Sequence, residues 1–164
     1  PAEGPRRTLA VAVPTCSDAP MPFPVAAGIL EVVPHRAPIL RLHRIVAADA
    51  NAATVAGSEP EGPGALPWEL GAIEGLAQSA AVLLGRALGR TLPAEAGLPG
   101  PRGMLVAVKR FLVEAHPPRG AEIIYHVQLM RRLGPTALVA GHAECAGVRL
   151  ARGEITLWTA PRDQ

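Results

Sequence analysis

A single apolar segment, residues 67–89, constrains the fold of this chain more than any other feature. Its apolar side chains are Leu70, Ile73, Leu76, Ala77, Ala80, Leu83, Leu84 and Leu88. They recur at helical spacing, which predicts one long α-helix. Pro67 stands where a first-turn proline is tolerated, and Gly89 marks the expected end of the helix. Because apolar residues cover most of its faces, we expect the helix to be buried.

Segments typical of β-strands surround this helix. Residues 39–48 and 52–57 are apolar and are separated by Asp49-Ala50-Asn51, which predicts a hairpin before the helix. After the helix, apolar and polar residues alternate, which predicts further strands. These strands are expected at 105–114, 122–133, 137–145 and 151–159. Two strands, one buried helix and then three or four strands in a meander predict an α+β layer architecture.

Composition excludes several classes of protein. The 164 residues include 17 glycines and 18 prolines, and 49% are hydrophobic but only 3% aromatic. This composition excludes collagen, a coiled coil and a fully disordered chain. A net charge of +2 and the scarcity of aromatic residues argue against a nucleic-acid partner. Cys16 and Cys145 lie far apart, with no CxxC motif and no nearby histidine pair, so we expect no zinc site.

The N-terminal residues 1–24 differ from the rest of the chain. They contain six prolines and are expected to form an arm or a tail, in which residues 8–13 could add an edge strand. Residues 25–164 are expected to form a single domain. Arg6-Arg7 resembles a twin-arginine signal, but Pro14 ends the following apolar run early, and no apolar stretch approaches the length of a membrane span. We therefore expect a cytoplasmic protein with no membrane partner.

Glu74 lies among apolar residues of the predicted helix, one turn before Gln78 on the same face. Burying an isolated carboxylate is costly unless it is paired or its pKa rises. A raised pKa suits a general acid at neutral pH, so Glu74 is a candidate catalytic residue. The alternative is that this face reaches solvent or a dimer interface.

Several motifs resemble those of the hotdog-fold β-hydroxyacyl-acyl carrier protein dehydratases. Val33-Pro-His-Arg-Ala-Pro38 resembles the Leu-Pro-His-Arg-x-Pro-type segment that leads into their first strand. Ile73-Glu-Gly-Leu-Ala-Gln-Ser79 is similar to their central-helix motif, Glu-Ala-Leu-Ala-Gln. Val108-Lys-Arg-Phe111 and Leu129-Met-Arg-Arg-Leu-Gly134 are similar to their third and fourth strands. The resemblance runs in the family's order from about residue 29 to residue 159.

The resemblance implies a hotdog fold, in which a curved antiparallel sheet wraps a long helix and two subunits form a double-hotdog dimer. It implies a 3-hydroxyacyl or polyenoyl thioester substrate on the phosphopantetheine arm of an acyl carrier protein, and loss of water without a cofactor. In this family a helix Glu, here matching Glu74, donates a proton to the departing hydroxyl, and a His abstracts the α-proton. A backbone N–H at the helix start holds the thioester carbonyl. Gly71 and Gly75 either let substrate approach the backbone or let the helix pack closely on the sheet.

The sequence departs from the family before the helix. The usual dehydratase carries its catalytic His in a Gly-His-Phe-Pro-Gly loop, whereas residues 58–68 here form a shorter stretch without histidine. Its Pro67-Trp68 ending is more similar to the divergent dehydratase-like subunits of aryl polyene and related pathways. The resemblance to that group makes His35 the candidate base beside Glu74; the alternative is a structural His35. The remaining histidines, His43, His116, His126 and His142, are weaker candidates.

Other residues have two possible roles each. Trp68 either walls an acyl tunnel or anchors the core, and Gln78 either orients Glu74 or contacts an interface. Four basic residues on strands expected to be neighbours either form a rim for an acidic carrier protein or belong to solvated faces. They are Lys109, Arg110, Arg131 and Arg132.

Three functions follow from the resemblance. The first is dehydration in fatty acid or polyene polyketide biosynthesis, with Glu74 as acid and His35 as base. The second is a catalytically weak or inactive hotdog subunit that completes the tunnel of a competent dehydratase, which the missing loop histidine favours. The third is a thioesterase, in which the helix acid activates water. We expect either a homodimer or a heterodimer with a second dehydratase subunit.

Overall fold

Six antiparallel strands and one long helix make up the described part of the chain. The computed structural model describes residues 27–30, 32–35, 39–59, 66–87 and 103–159. Its elements are α1 (Ala27–Leu30), β1 (Leu42–Ala48), β2 (Ala52–Ser58), α2 (Trp68–Ala87), β3 (Gly103–Val113), β4 (Glu122–Leu133), β5 (Thr136–Cys145) and β6 (Val148–Thr159). The arm predicted at 1–24 and most of the loops predicted at 57–67 and 92–103 lie outside the described residues.

The strands form one sheet in the order β1-β2-β4-β5-β6-β3. Strands β4, β5 and β6 are a three-stranded meander, whereas β3 lies at the far edge and pairs with β6. Apolar cross-strand pairs such as Leu105 with Leu157 and Val108 with Ile155 hold β3 there. The α+β prediction is confirmed, but the expectation that β3 and β4 are neighbours is wrong, since β5 and β6 lie between them.

Helix α2 packs against one face of the sheet and fills the core. Its buried stripe consists of Ala72, Leu76, Ala80 and Leu83, and small residues let the helix approach the strands closely. The sheet side contributes Val55, Ile123, Tyr125, Val127 and Val139, all buried. The predicted burial of this helix is therefore confirmed. Within the described ranges, no helix is long and apolar enough to cross a membrane.

The first strand begins later than its apolar pattern predicts. The pattern starts at residue 39, but β1 starts at Leu42. The reason is that the chain before it bonds to the helix: the Arg41 N–H donates to Gln78 Oε1 at 3.0 Å, and the Ile39 carbonyl accepts from Gln78 Nε2 at 3.0 Å. Gln78 of α2 thus bonds the Arg41 N–H and the Ile39 carbonyl, while the Arg41 carbonyl still accepts from the Ser58 N–H of β2 at 2.9 Å.

Helix α1 is a short turn that the sequence pattern did not predict. The N–H groups of Val32 and Val33 donate to the Ile29 carbonyl at 3.1 and 2.8 Å, so the chain continues the turn beyond Leu30. Ile29 and Val33 are fully buried in the core. This anchoring fixes the path of the chain immediately before His35.

Gly75 lies where α2 is nearest to the sheet. A Cβ placed on Gly75 would overlap the ring of Tyr125 on β4, which is itself fully buried and has little freedom to move. We expect Gly75→Ala to lower the free energy of unfolding by about 1–3 kcal/mol, as overpacking does. Urea unfolding measures this change.

Gly28→Ala is the matched control, because its added Cβ would meet Ile45 Cδ1 at an ordinary 3.7 Å. It should change the stability by less than about 0.5 kcal/mol. Equal effects of the two substitutions would contradict the close approach of α2 at Gly75.

Candidate active site

Glu74 lies at mid-helix on α2 and is held by its neighbour one turn later. Gln78 Nε2 donates to Glu74 Oε1 at 2.8 Å and also to the Ile39 carbonyl, while Gln78 Oε1 accepts the Arg41 N–H. The buried amide of Gln78 is therefore bonded at both ends. Glu74 keeps a quarter of its side-chain surface exposed. Its carboxylate is therefore held by Gln78 and is still accessible to solvent.

His35 reaches the same carboxylate from the segment between α1 and β1. Its Nε2 lies 3.6 Å from Glu74 Oε1, and 42% of its side chain is exposed. That separation is longer than a direct hydrogen bond. The contacts of Glu74 with Gln78 and His35 both involve Oε1. The structure thus brings together two residues that are 39 positions apart and that the sequence had singled out as acid and base.

A cleft of about 160 Å³ opens beside this pair. Glu74, Gln78, Ala81 and Gly85 of α2 line one wall, along with Ala77 and Leu84. The start of β3 and the end of β6 form the opposite wall. Successive small residues one turn apart leave the groove along the helix open. The cleft therefore contains a carboxylate and an imidazole together with a lining of apolar side chains.

The start of α2 is engaged with the interior of the protein. A Cβ on Gly71 would lie 2.6 Å from Arg41 Nη1 and 2.8 Å from Glu59 Oε1. These two side chains form an ion pair of 2.6 Å, and the Arg41 side chain is 1% exposed. Gly71 thus allows the helix to pack on this ion pair. This packing explains why a glycine stands here, and no contact with substrate is needed to explain it.

Trp68 also packs in the hydrophobic core. It is buried, and its indole N–H donates to the Ala115 carbonyl at 2.9 Å. Neither Trp68 nor Gly71 is among the described residues that line the cleft, whereas Gln78 is. Their predicted contact with substrate stays a prediction, and the alternative roles in packing have direct contacts to support them.

The buried polar group beneath the helix was not anticipated from the sequence. Tyr125 faces Gly75 and is fully buried, and among the described residues its hydroxyl has no hydrogen-bond partner. Burial raises the pKa of the Tyr125 phenol, and the nearby Glu59 carboxylate adds to this effect. Arg41, Glu59 and Tyr125 therefore form a structural support under α2. In the sequence, the one sign of this buried group was Arg41, a basic residue within the apolar segment 39–48.

The four predicted docking residues do not form one continuous rim on adjacent strands. Lys109 and Arg110 lie on edge strand β3, whereas Arg131 and Arg132 lie near the end of β4, with β5 and β6 between the two strands. The chain has a positive φ of 51° at Arg110, within an irregularity of the β3–β6 pairing, and Arg110 forms an ion pair with Glu154. The premise of neighbouring strands is corrected, and all four residues are exposed.

The other histidines have partners outside the cleft. His43 is buried, and its Nε2 lies 3.0 Å from Glu122 Oε1. Burial alone would raise the pKa of Glu122, but the contacts with His43 and Arg44 lower this pKa below its ordinary value. His116 Nε2 lies 3.7 Å from Glu69 Oε1 near the start of α2, and both groups are exposed. His126 and His142 stack on each other across β4 and β5.

A long helix packed on a six-stranded antiparallel sheet defines a hotdog-type fold, and a carboxylate and an imidazole meet at its helix. No family model matches the chain. The chain is 28% identical over 150 residues to the 3-hydroxyacyl-[acyl-carrier-protein] dehydratase FabZ of Helicobacter acinonychis (strain Sheeba), covering 82% of this chain and 90% of that protein.

Solved structures share the fold at lower identity. The dehydratase heterocomplex ApeI:P from Xenorhabdus doucetiae matches with a TM-score of 0.65 and 18% identity, over 82% of this chain and 91% of that chain. A hypothetical thioesterase protein with coenzyme A from Streptococcus pneumoniae TIGR4 matches with a TM-score of 0.52 and 10% identity, over 74% and 88%. These likenesses confirm the hotdog fold that the sequence motifs predicted.

Gln78 is the residue whose loss should disturb the site most. Gln78→Leu keeps the volume but leaves the Arg41 N–H and the Ile39 carbonyl without their partner. Each buried group that loses its partner costs about 1–3 kcal/mol, so we expect the free energy of unfolding to fall by about 3 kcal/mol. Chemical denaturation measures this loss.

Ser79→Ala provides the comparison, because Ser79 is the next buried polar residue on α2 and its hydroxyl donates within the helix to the Gly75 carbonyl. Its loss should cost about 1 kcal/mol. A Gln78→Leu variant no less stable than Ser79→Ala would show that the amide does not tie α2 to residues 39–41.

Proposed function

We propose that this protein removes water from a 3-hydroxyacyl or polyenoyl thioester carried by an acyl carrier protein, forming the 2-enoyl thioester. The observation that carries the proposal is the approach of His35 Nε2 to Glu74 Oε1 at the end of an apolar cleft. The similarity to a named dehydratase over most of the chain supports it. The biosynthesis of fatty acids or polyene polyketides is the corresponding setting, and the cytoplasmic location stays a prediction.

Glu74 is the proposed acid. In its protonated form it delivers a proton to the β-hydroxyl as the Cβ–O bond breaks, so that the leaving group departs as water. Gln78 donates to Oε1, which fixes the carboxyl group. We therefore assign Gln78 as a positioning residue.

His35 is the proposed base. Its neutral imidazole accepts the α-proton, and the electrons of the Cα–H bond form the double bond as the hydroxyl leaves. The gap of 3.6 Å suits two groups that act on adjacent carbons rather than on each other. After water leaves, transfer of the proton from His35 to Glu74 restores both groups, so the cycle needs no cofactor.

The cleft is the proposed place of the acyl chain. From Glu74 to Gly85 the helix rises roughly 16 Å, at about 1.5 Å for each residue. Ala77, Ala81 and Leu84 offer apolar surface along this path. An acyl chain laid here would leave its C2 and C3 atoms beside the two reactive side chains.

The helix start is the proposed partner of the thioester carbonyl. The Gly71 N–H already donates to the Pro67 carbonyl at 2.9 Å. The N–H groups of Trp68, Glu69 and Leu70 have no acceptor within the helix, as at every helix start. Their partial positive charge favours the negative charge that develops on the thioester oxygen when the α-proton leaves.

Strand β3 is the proposed contact with a second subunit. Among the described strands it pairs with β6 alone, so its other edge keeps unpaired backbone groups. Met104, Leu105, Val106 and Leu112 are large exposed apolar residues on this strand. Proteins cover an edge of this kind, and pairing with a second copy or with another dehydratase subunit would do so.

We assign docking of the acidic carrier protein to basic residues on two strands that are not adjacent. Lys109 and Arg110 lie on β3 beside the proposed subunit contact, and Arg131 and Arg132 lie on β4. Opposite charge of this kind raises the rate of association more than the affinity.

The second candidate function is that of a weak or inactive subunit paired with a competent dehydratase. The absence of histidine from residues 58–68 favours it, as does the exposure of His35. Both candidates share the fold and the subunit contact. They differ in whether the protein turns over substrate on its own.

The test is incubation of the purified full chain with a 3-hydroxyacyl-acyl carrier protein, followed by mass spectrometry of the carrier. Loss of one water is expected. Glu74→Gln and His35→Ala should each lower the rate on the order of 10²–10⁴-fold, because each removes one proton-transfer group.

His116→Ala is the matched control, since His116 and Glu69 form a similar pair at 3.7 Å outside the cleft. It should keep the full rate. Turnover only after addition of a second dehydratase subunit, unchanged in Glu74→Gln, would support the inactive-subunit function. Release of free acid would establish a thioesterase, and full activity of Glu74→Gln would overturn the assignment of the acid.

A further inference from the structure

The sheet face that points away from α2 carries a pair of histidines. Residues 125 and 127 of β4 are buried toward the helix, so His126 between them projects to the opposite face. His126 and His142 are direct partners in the β4–β5 register. Their rings stack with centroids 4.6 Å apart and planes 20° from parallel. Two imidazoles are therefore held together by the backbone pairing of two central strands.

A carboxylate completes the cluster. Glu144 lies two residues after His142 on β5 and so projects to the same face, and its Oε1 is 3.4 Å from His126 Nε2. One ligand atom from each of the three side chains lies within 4.8 Å of the others. Thr54 on β2 adds a contact, its Oγ1 lying 3.2 Å from His126 Nδ1. When Nδ1–H donates to Thr54, the lone pair of His126 is on Nε2, the atom nearest Glu144.

The charges around the cluster are largely paired. Arg152 donates to Glu114 at 2.7 Å, and Arg110 is engaged by Glu154. Arg149 stands opposite Glu144 in the β5–β6 register. Burial, together with the charges of His126 and Arg149, lowers the pKa of His142.

The spacing of the cysteines gave no reason to expect a zinc site, but we propose that His126, His142 and Glu144, without a cysteine, form a binding site for a divalent transition-metal ion of the zinc type on the outer face of the sheet. Two imidazoles and one carboxylate suit zinc, nickel or cobalt, whereas magnesium and calcium prefer all-oxygen ligand sets. The site is separate from the cleft at Glu74, so the proposal does not rest on the proposed function. The ion would link β4 to β5 and leave a coordination position open to solvent.

The geometry needs a small side-chain adjustment. Nitrogen ligands on one tetrahedral zinc ion lie about 3.3 Å apart, since each Zn–N bond is about 2.0–2.1 Å. The present spread of up to 4.8 Å closes by rotation of partly exposed side chains, with no change of the strands. An open depression beside the cluster, bordered by Thr54, His126 and His142, leaves room for this rotation.

The test is calorimetric titration of the full, tag-free chain with zinc chloride at pH 7.5, after treatment with a chelator. We expect one ion per chain, and with cobalt chloride a visible absorption band of tetrahedral cobalt. His126→Ala and His142→Ala should each weaken zinc binding by at least about tenfold. Magnesium chloride should give no comparable heat.

His116→Ala is again the matched control, because it removes an exposed histidine that lies outside the cluster, and it should leave zinc binding unchanged. Zinc K-edge absorption of the wild-type complex gives a readout that does not depend on folding of the variants, and it should show two imidazole ligands. Absence of zinc binding, binding by both His126→Ala and His142→Ala as tight as that of the wild type, or a spectrum without paired imidazoles would each overturn the proposal.

Discussion

The amide of Gln78 is the interaction on which the arrangement of this protein depends. It accepts from the Arg41 backbone, donates to the Ile39 carbonyl and donates to Glu74. A neutral side chain buried inside the protein thus joins the central helix to the chain entering the sheet. Because all of these groups are polar, the join is directional, and it fixes the rotation of α2 about its axis as well as its distance from β1. The rotation in turn decides that Glu74 faces the cleft.

Close approach of the helix to polar groups is the second constraint. Gly71 and Gly75 have no side chains, and the space is taken by Arg41 with Glu59 and by Tyr125. A buried guanidinium is tolerated here because the Glu59 carboxylate meets it at 2.6 Å. The two glycines on successive turns thus serve the packing of α2, while the residues on its other flank serve the cleft. One helix carries two different surfaces, and a short stretch of sequence encodes both.

Local patterns in the sequence predicted the elements but not their distant contacts. The alternation of Ile124, His126, Gln128 and Met130 with Tyr125, Val127 and Leu129 identified β4, and the apolar residues at helical spacing identified α2. The start of β1 was predicted three residues early, because the Arg41 N–H donates to a side chain 37 positions away and not to a strand. The position of β3 in the sheet was not predicted, because it depends on which distant strand the apolar side chains of β3 pair with. The meeting of His126 with His142 depended on the register of β4 and β5, and a spacing of sixteen residues does not reveal it.

The contact between His35 and Glu74 lies within one chain, and this has a consequence for how such proteins change over time. A reactive pair contained in a single subunit is inherited together and lost together. In an assembly of two unlike subunits, one copy could then lose its pair and retain a purely architectural role, while the other kept complete chemistry. Under the proposed function each protomer would thus carry its own acid and base, although the proposed pairing of β3 edges would make both necessary for the shape.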